Sequence, residues 1–148
     1  MEILIVFLGL LLDRVSKLWA LGALKESSGI ILIKNLFSLE YLENRGAAFG
    51  ILQNKIILLA IVTLIVISVM IYYIIAYKPK GKLVRISFAL IISGALGNLY
   101  DRLFYKYVVD FILLHYKDVY YFPTFNVADM LVVMGTFFLM IFIIKGDI

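Results

Sequence analysis

No cysteine occurs among the 148 residues, so disulfides and thiolate metal sites are excluded. The single histidine, His115, leaves no histidine-rich cluster for a metal ion, and neither an H-E-x-x-H helix nor a Ser-His-Asp constellation can be assembled. Charge is scarce too. Only 16% of residues are charged against 64% hydrophobic, and the mean hydropathy of +1.05 is too apolar for a soluble domain of this size. The chain therefore reads as an integral membrane protein. Its net charge of +4 does not point to nucleic acid, because Lys78, Lys80, Lys82 and Arg85 crowd one short linker and form no stripe with interleaved aromatics. A cleavable signal is also not expected: Glu2 stands where positive charge belongs, and Asp13-Arg14 follows the apolar run 3–12 where small residues belong. Internal repeats and low-complexity segments are missing as well.

What is present is a series of apolar segments at about 3–24, 56–77, 83–103 and 125–145, each close to the roughly 20 residues that cross a bilayer. The expected fold is a single all-α membrane domain, 1–148, with four transmembrane helices. The basic linker 78–85 belongs on the cytoplasmic side, which places both termini there and the links 25–55 and 104–124 outside. Within the first link, Phe37-Ser38-Leu39-Glu40-Tyr41 alternates with period two and reads as a strand, with residues 30–33 as partner. Asn44-Arg45-Gly46-Ala47-Ala48-Phe49-Gly50 reads as a tight small-residue loop. The second link is read as a tyrosine-rich loop carrying Asp110, with Tyr116, Tyr120, Tyr121 and Phe122 suited to an interfacial belt.

Polar groups inside apolar segments are costly and carry the functional argument. Asp13 and Lys17, four apart in acid-then-base order, are expected to pair on one helix face. Asn98, Asp101 and Arg102 share a face at i, i+3 and i+4, with an Asp101–Arg102 ion pair as the structural alternative. Small residues at 93–97 let helices pack closely, and Gly94 and Gly97 do not have the spacing that argues for a helix dimer, so a monomer is expected. Asn126 and Asp129, three apart, are expected on one side of the last helix. Segment three ends, and segment four begins, at the outer boundary, so Asp101, Asp110 and Asp129 converge at one depth. Asp110 and Asp129 individually read equally well as anchors of helix ends, where a carboxylate suits the helix dipole. As neighbours in a low-dielectric site they are costly to ionise together, so one keeps a proton, and the pair can activate water against a peptide carbonyl. Ser16 beside Lys17 is no dyad, since adjacent residues point apart, and His115 sits in an exposed-looking loop.

Taken together, Asp13-Arg14-Val15-Ser16-Lys17, Asn44-Arg45-Gly46-Ala47-Ala48-Phe49, Gly97-Asn98-Leu99-Tyr100-Asp101-Arg102, Val108-Val109-Asp110-Phe111 and Phe125-Asn126-Val127-Ala128-Asp129 resemble lipoprotein signal peptidase, the type II signal peptidase of bacteria. Ser93 departs from a frequent family glycine and Met130 from a small or polar residue. The resemblance implies an aspartyl endopeptidase of the cytoplasmic membrane, with a β-rich cradle on its outer face. Such an enzyme removes the signal peptide from prolipoproteins before a diacylglyceryl-modified cysteine, using no metal or organic cofactor. Its partners are the lipidated precursor and membrane lipid, with no nucleic acid. It also implies that Asp110 and Asp129 are the catalytic pair, and that Asp13, Lys17, Asn44, Asn98, Asp101, Arg102 and Asn126 shape the site and hold substrate. The rival from another class is a small four-span proton-coupled transporter with Asp13 or Asp129 as cation site.

Overall fold

The computed structural model describes residues 1–47, 51–117 and 119–145. In chain order the elements are α1 (Glu2–Ala23), β1 (Ile30–Ile33), β2 (Phe37–Asn44), α2 (Ile56–Tyr77), α3 (Lys82–Phe104), β3 (Val108–Tyr116), β4 (Tyr120–Tyr121) and α4 (Val127–Ile144). Of these, α2, α3 and α4 are long and apolar enough to cross a membrane. The first helix is as long as α2 but carries Asp13, Arg14 and Lys17 in its interior.

α3 is the central helix. Its small residues Ser93, Gly94 and Gly97 are buried, and a side chain at Gly94 would run into the Ala128 carbonyl while one at Gly97 would meet the Asp13 carboxylate. The close approach of α1 and α4 to α3 thus depends on glycine, as the stretch 93–97 suggested. Ser93 does not loosen this packing; its hydroxyl donates to the Val6 carbonyl at 3.1 Å. α2 packs on α3 through Ala60 and Ile67 against Phe88 and Ile92, and leaves residues such as Ile57 (77% exposed) on the outside. Outward apolar side chains are unfavourable in water and ordinary in lipid, which agrees with the lipid-facing reading of this segment.

Both ends of the bundle are recognisable. At one, the Arg85 Nε forms an ion pair with Glu2 Oε1 at 2.9 Å and Gly81 lies against Phe142, so the chain's start, the basic linker and the end of α4 gather together. At the other, a four-stranded antiparallel sheet in the order β1-β2-β3-β4 packs on α1 through Ala20, Leu24, Val109 and Phe111. The β1–β2 pair is the one read from the alternation in 37–41. The link 104–124, read as a loop, instead holds the nine-residue β3 in the middle of the sheet. Val108, Val109 and the run 111–114 suit a strand that is buried on both faces over its first half, and an alternating pattern does not arise there. His115 accordingly lies on β3, stacked on the Tyr121 ring at 5.4 Å. Tyr116 and Tyr120 remain exposed at this edge. The loop read at 44–50 is described as far as Ala47; Ala48, Phe49 and Gly50 lie outside the described residues.

Candidate active site

α4 begins with Asn126 as its N-cap, in extended conformation at φ −134°. Asn126 is therefore not a helical neighbour of Asp129, as its spacing suggested; the two form a capping box. The Asn126 Oδ1 accepts from the Asp129 N–H at 2.9 Å, and the Asp129 Oδ2 accepts from the Asn126 N–H at 3.1 Å. Two orphan amides of the helix start are satisfied this way, and the carboxylate is fixed at the positive end of the helix dipole. The other oxygen, Asp129 Oδ1, accepts from Asn98 Nδ2 of α3 at 2.7 Å.

Asp110 arrives from a different direction, on β3, and is 1% exposed. The strand brings it to Asn126 because Phe125 is zipped to β3 just beyond Asp110: its carbonyl accepts from the Phe111 and Ile112 amides at 3.1 and 2.9 Å, and its own N–H donates to Ile112 at 3.0 Å. The Asn126 Nδ2 then reaches Asp110 Oδ1 at 2.6 Å, and Asn44 Nδ2, at the end of β2, donates to Asp110 Oδ2 at 2.8 Å. A single asparagine side chain thus touches one acid through its amide nitrogen and the backbone of the other through its oxygen. Burial, and then the charge of Asp129 nearby, push the Asp110 carboxyl up to about 7, and the hydrogen bonds from Asn44 and Asn126 only partly offset this.

Beneath the two acids lies a fully buried ionic cluster. Lys17, 0% exposed, places its Nζ 2.9 Å from Asp13 Oδ2, 3.0 Å from Asp101 Oδ2 and 3.0 Å from Asn98 Oδ1. The Asp13–Lys17 pairing matches the reading from sequence. Asp101 pairs with Lys17 and with Arg14 Nη1 at 2.7 Å, not with Arg102, and its Oδ2 accepts the Val109 N–H at 3.2 Å. Asp13 Oδ1 accepts the Ala128 N–H at 3.0 Å. Such charges are tolerable in a low dielectric because each is paired with an opposite charge, although the Arg14 Nε and Nη2 lie buried without a hydrogen-bond partner. Asn98 joins this cluster to Asp129, and Asp101 orients the strand residue that precedes Asp110.

Of the nine residues singled out from sequence, eight fall into these two joined groups. Arg102 stands to one side, half-buried, its Nη2 3.4 Å from the Gly46 carbonyl and its charge within electrostatic reach of Asp129 and Asp110. Sequence reasoning assigned no role to Arg14, although an arginine inside an apolar run was a signal of its own. It closes the Asp101 pairing and lies over the Tyr100 and Tyr105 rings at 5.1 and 5.3 Å. Among the described residues no group of three or more His, Asp or Glu side chains is placed to hold a metal ion.

Comparison with known proteins gives concordant results. The family model described as Signal peptidase (SPase) II matches residues 5–145. A lipoprotein signal peptidase of Clostridium novyi (strain NT) is 60% identical over 145 residues, covering 98% of both chains, and one of Clostridium acetobutylicum is 60% identical over 147 residues, covering 99% of this chain and 96% of the relative. A solved bacterial membrane enzyme, determined by the in meso method at 2.3 Å, superposes with a TM-score of 0.88 at 30% identity, covering 97% of this chain and 87% of the other.

Proposed function

The chain belongs to the signal peptidase II family, and from that membership we propose that it is an aspartic endopeptidase removing signal peptides from diacylglyceryl-modified prolipoproteins, with Asp110 and Asp129 as the catalytic pair. The cut falls before the lipid-bearing cysteine. The observation that carries this reading is the double attachment of Asn126, which supports two acids held to one another's vicinity across 19 positions of sequence.

Asp110 is the acid that starts with the proton, since burial and the Asp129 charge both favour its neutral form. Asp129 takes a proton from water, the resulting hydroxyl attacks the scissile carbonyl carbon, and Asp110 gives its proton to the carbonyl oxygen. On collapse of the tetrahedral intermediate, Asp129 hands its proton to the leaving amine and Asp110 recovers its own. The polar shell of Asn44, Asn98 and Asn126 keeps both carboxyls oriented, while Arg102, beside the acids, holds substrate.

The protein is a multi-pass membrane protein. We read α1 as a fourth span: its 22 residues reach about 33 Å, and its charges cancel within the Asp13–Lys17 and Arg14–Asp101 pairs. With the basic linker inside, both termini face the cytoplasm of a bacterial host, and the sheet and acids face outward. The substrate enters sideways from the bilayer, and the enzyme works as a monomer. A proton-coupled transporter is not favoured by the family, and the acids gather at one end of the bundle without continuing as a path across it.

Detergent-purified protein incubated with a diacylglyceryl-modified precursor should produce the smaller product on a gel, and D110N and D129N should each abolish that shift while still accumulating in the membrane. Near-normal cleavage by either variant would remove that residue from the catalytic pair.

A further inference from the structure

Beside α2, on the side facing Arg102, a groove of about 650 Å³ runs between the start of α2 and the end of α3. That volume lies within the roughly 300–1,000 Å³ of small-ligand pockets. Its walls include Ala60, Ile61 and Leu64 of α2, so it descends about 12 Å from the first residue of that helix at 1.5 Å per residue. Its mouth carries three cations, Lys55, Arg102 and Lys106. Among the described residues none of the three has a carboxylate within ion-pair distance; the pairs that form involve Arg14, Lys17, Lys25, Arg45, Arg85 and the N-terminus. Lys106 Nζ satisfies only the Leu103 carbonyl at 2.9 Å, and the Arg102 Nε is buried with no partner. Among the described residues no side chain caps the first turn of α2, whose N-terminal end carries partial positive charge of the same sign.

We propose that this groove binds an anionic phospholipid, its phosphate held by Lys55 and Lys106 next to Arg102 and one acyl chain along Ala60, Ile61 and Leu64. The two halves of the groove need two chemistries at once. An apolar trough on helices that cross a membrane selects a hydrocarbon chain, and a soluble anion leaves it empty. The unpaired Lys55 and Lys106 select a negative headgroup, and the diacylglyceryl group of the proposed substrate is an uncharged glyceride that leaves these two lysines unpaired. A lipid seated here borders Arg102 and fixes the position of that side chain next to the acids. The site rests on α2 and α3 spanning the membrane, and needs no peptidase activity for its existence.

The test uses full-length protein in uncharged detergent, without substrate. Native mass spectrometry follows titration with phosphatidylglycerol, with phosphatidylcholine and diacylglycerol of the same acyl chains, and with glycerol phosphate. Phosphatidylglycerol should bind in preference to the other three. K55Q/K106Q should weaken its binding about 30-fold, since each lysine near a lipid surface contributes about one step of five- to sixfold. K55R/K106R should retain it, as should K34Q, which removes a cation outside the groove. K106Q alone, with about a fivefold loss, decides the matter should the double variant not fold. Equal binding of phosphatidylglycerol and phosphatidylcholine, or a preference that survives K55Q/K106Q, overturns the site. Diacylglycerol binding as tightly makes the groove a seat for neutral glyceride, and glycerol phosphate binding as tightly makes it an ion site only; both outcomes also overturn the proposal. Because no peptide is cleaved in this experiment, its failure is separate from any failure of the peptidase reading.

Discussion

Replacing Asp110 by asparagine should cost the enzyme its activity and change its stability in a way that depends on pH. In an unfolded chain this carboxyl titrates near 3.8, and in the folded protein burial, followed by the Asp129 charge, pushes it up to about 7. A carboxyl whose folded value is raised prefers to stay protonated. Its ionisation therefore costs nothing below pH 3.8, grows between pH 4 and pH 7, and levels off above pH 7. Three pH units correspond to about 4 kcal/mol, the largest penalty wild type can carry at pH 8. D110N escapes it. The amide also loses something, because Asp110 Oδ1 and Oδ2 accept from Asn126 and Asn44 respectively, and an NH₂ group facing either donor forfeits a bond worth about 1–3 kcal/mol. That loss is the same at every pH. The stability difference between D110N and wild type should thus swing by about 4 kcal/mol from pH 4 to pH 8, with the variant relatively stronger in alkali. Thermal unfolding in detergent over a pH series measures it, with a relative Tm change on the order of 10 °C. A difference that stays flat from pH 4 to pH 8 would show that Asp110 ionises as an ordinary aspartate, and the assignment of Asp110 as the protonated acid would fall.

The same proton governs rate: kcat/KM for a lipidated precursor should decline as pH rises through about 7, where free enzyme loses the Asp110 proton, and a rate still climbing at pH 9 would contradict the acid role. N126A, which severs the contact to Asp110 and the cap on Asp129, should lower kcat about 10²-fold with a smaller effect on KM, read from initial rates; unchanged kcat would mean that the acids align without it. G97A drives a methyl group against the Asp13 carboxylate and should destabilise by about 1–3 kcal/mol, whereas G22A, with open space around its position, should be neutral or stabilising; thermal unfolding compares the two.

Much of the bundle was legible because its signals are local. Uninterrupted apolar runs mark α2 and α4, the basic linker marks the turn before α3, and 93–97 marks the close packing of α3. Asp13 and Lys17 were legible as a pair because four residues on a helix fix their distance. What escaped was set by tertiary contacts. β3 is buried on both faces over its first half, so Val108, Val109 and Phe111 offer no alternation, and the tyrosines around them made the stretch look like a surface loop. Asn126 sits one position outside α4, and spacing of three reads the same for a helical face and for a capping box, although the geometry and the partners differ. The partner of Asp101 was equally hidden. Its neighbour Arg102 was the obvious cation in sequence, but α1 passes α3 at the glycines and delivers Arg14 and Lys17 instead.

The arrangement of that cluster bears on the acids above it. An ammonium has three donors, and Lys17 directs them to Asp13, Asp101 and Asn98, so none remains for Asp129. With Arg14 included, two cations and two carboxylates balance to zero in the buried layer. The direct side-chain connection onward to the Asp129 carboxylate is the Asn98 amide, which accepts from Lys17 and donates to the carboxylate, passing on orientation but no net charge. Had the ammonium touched Asp129 directly, it would have cancelled the negative charge that helps keep Asp110 protonated. A direct contact to Asp110 would have lowered that acid strongly by attraction, whereas from its actual position Lys17 lowers it less than the hydrogen bonds from Asn44 and Asn126 do. The asparagine between lysine and aspartate therefore lets a cation stiffen the site without taking the shared proton out of it.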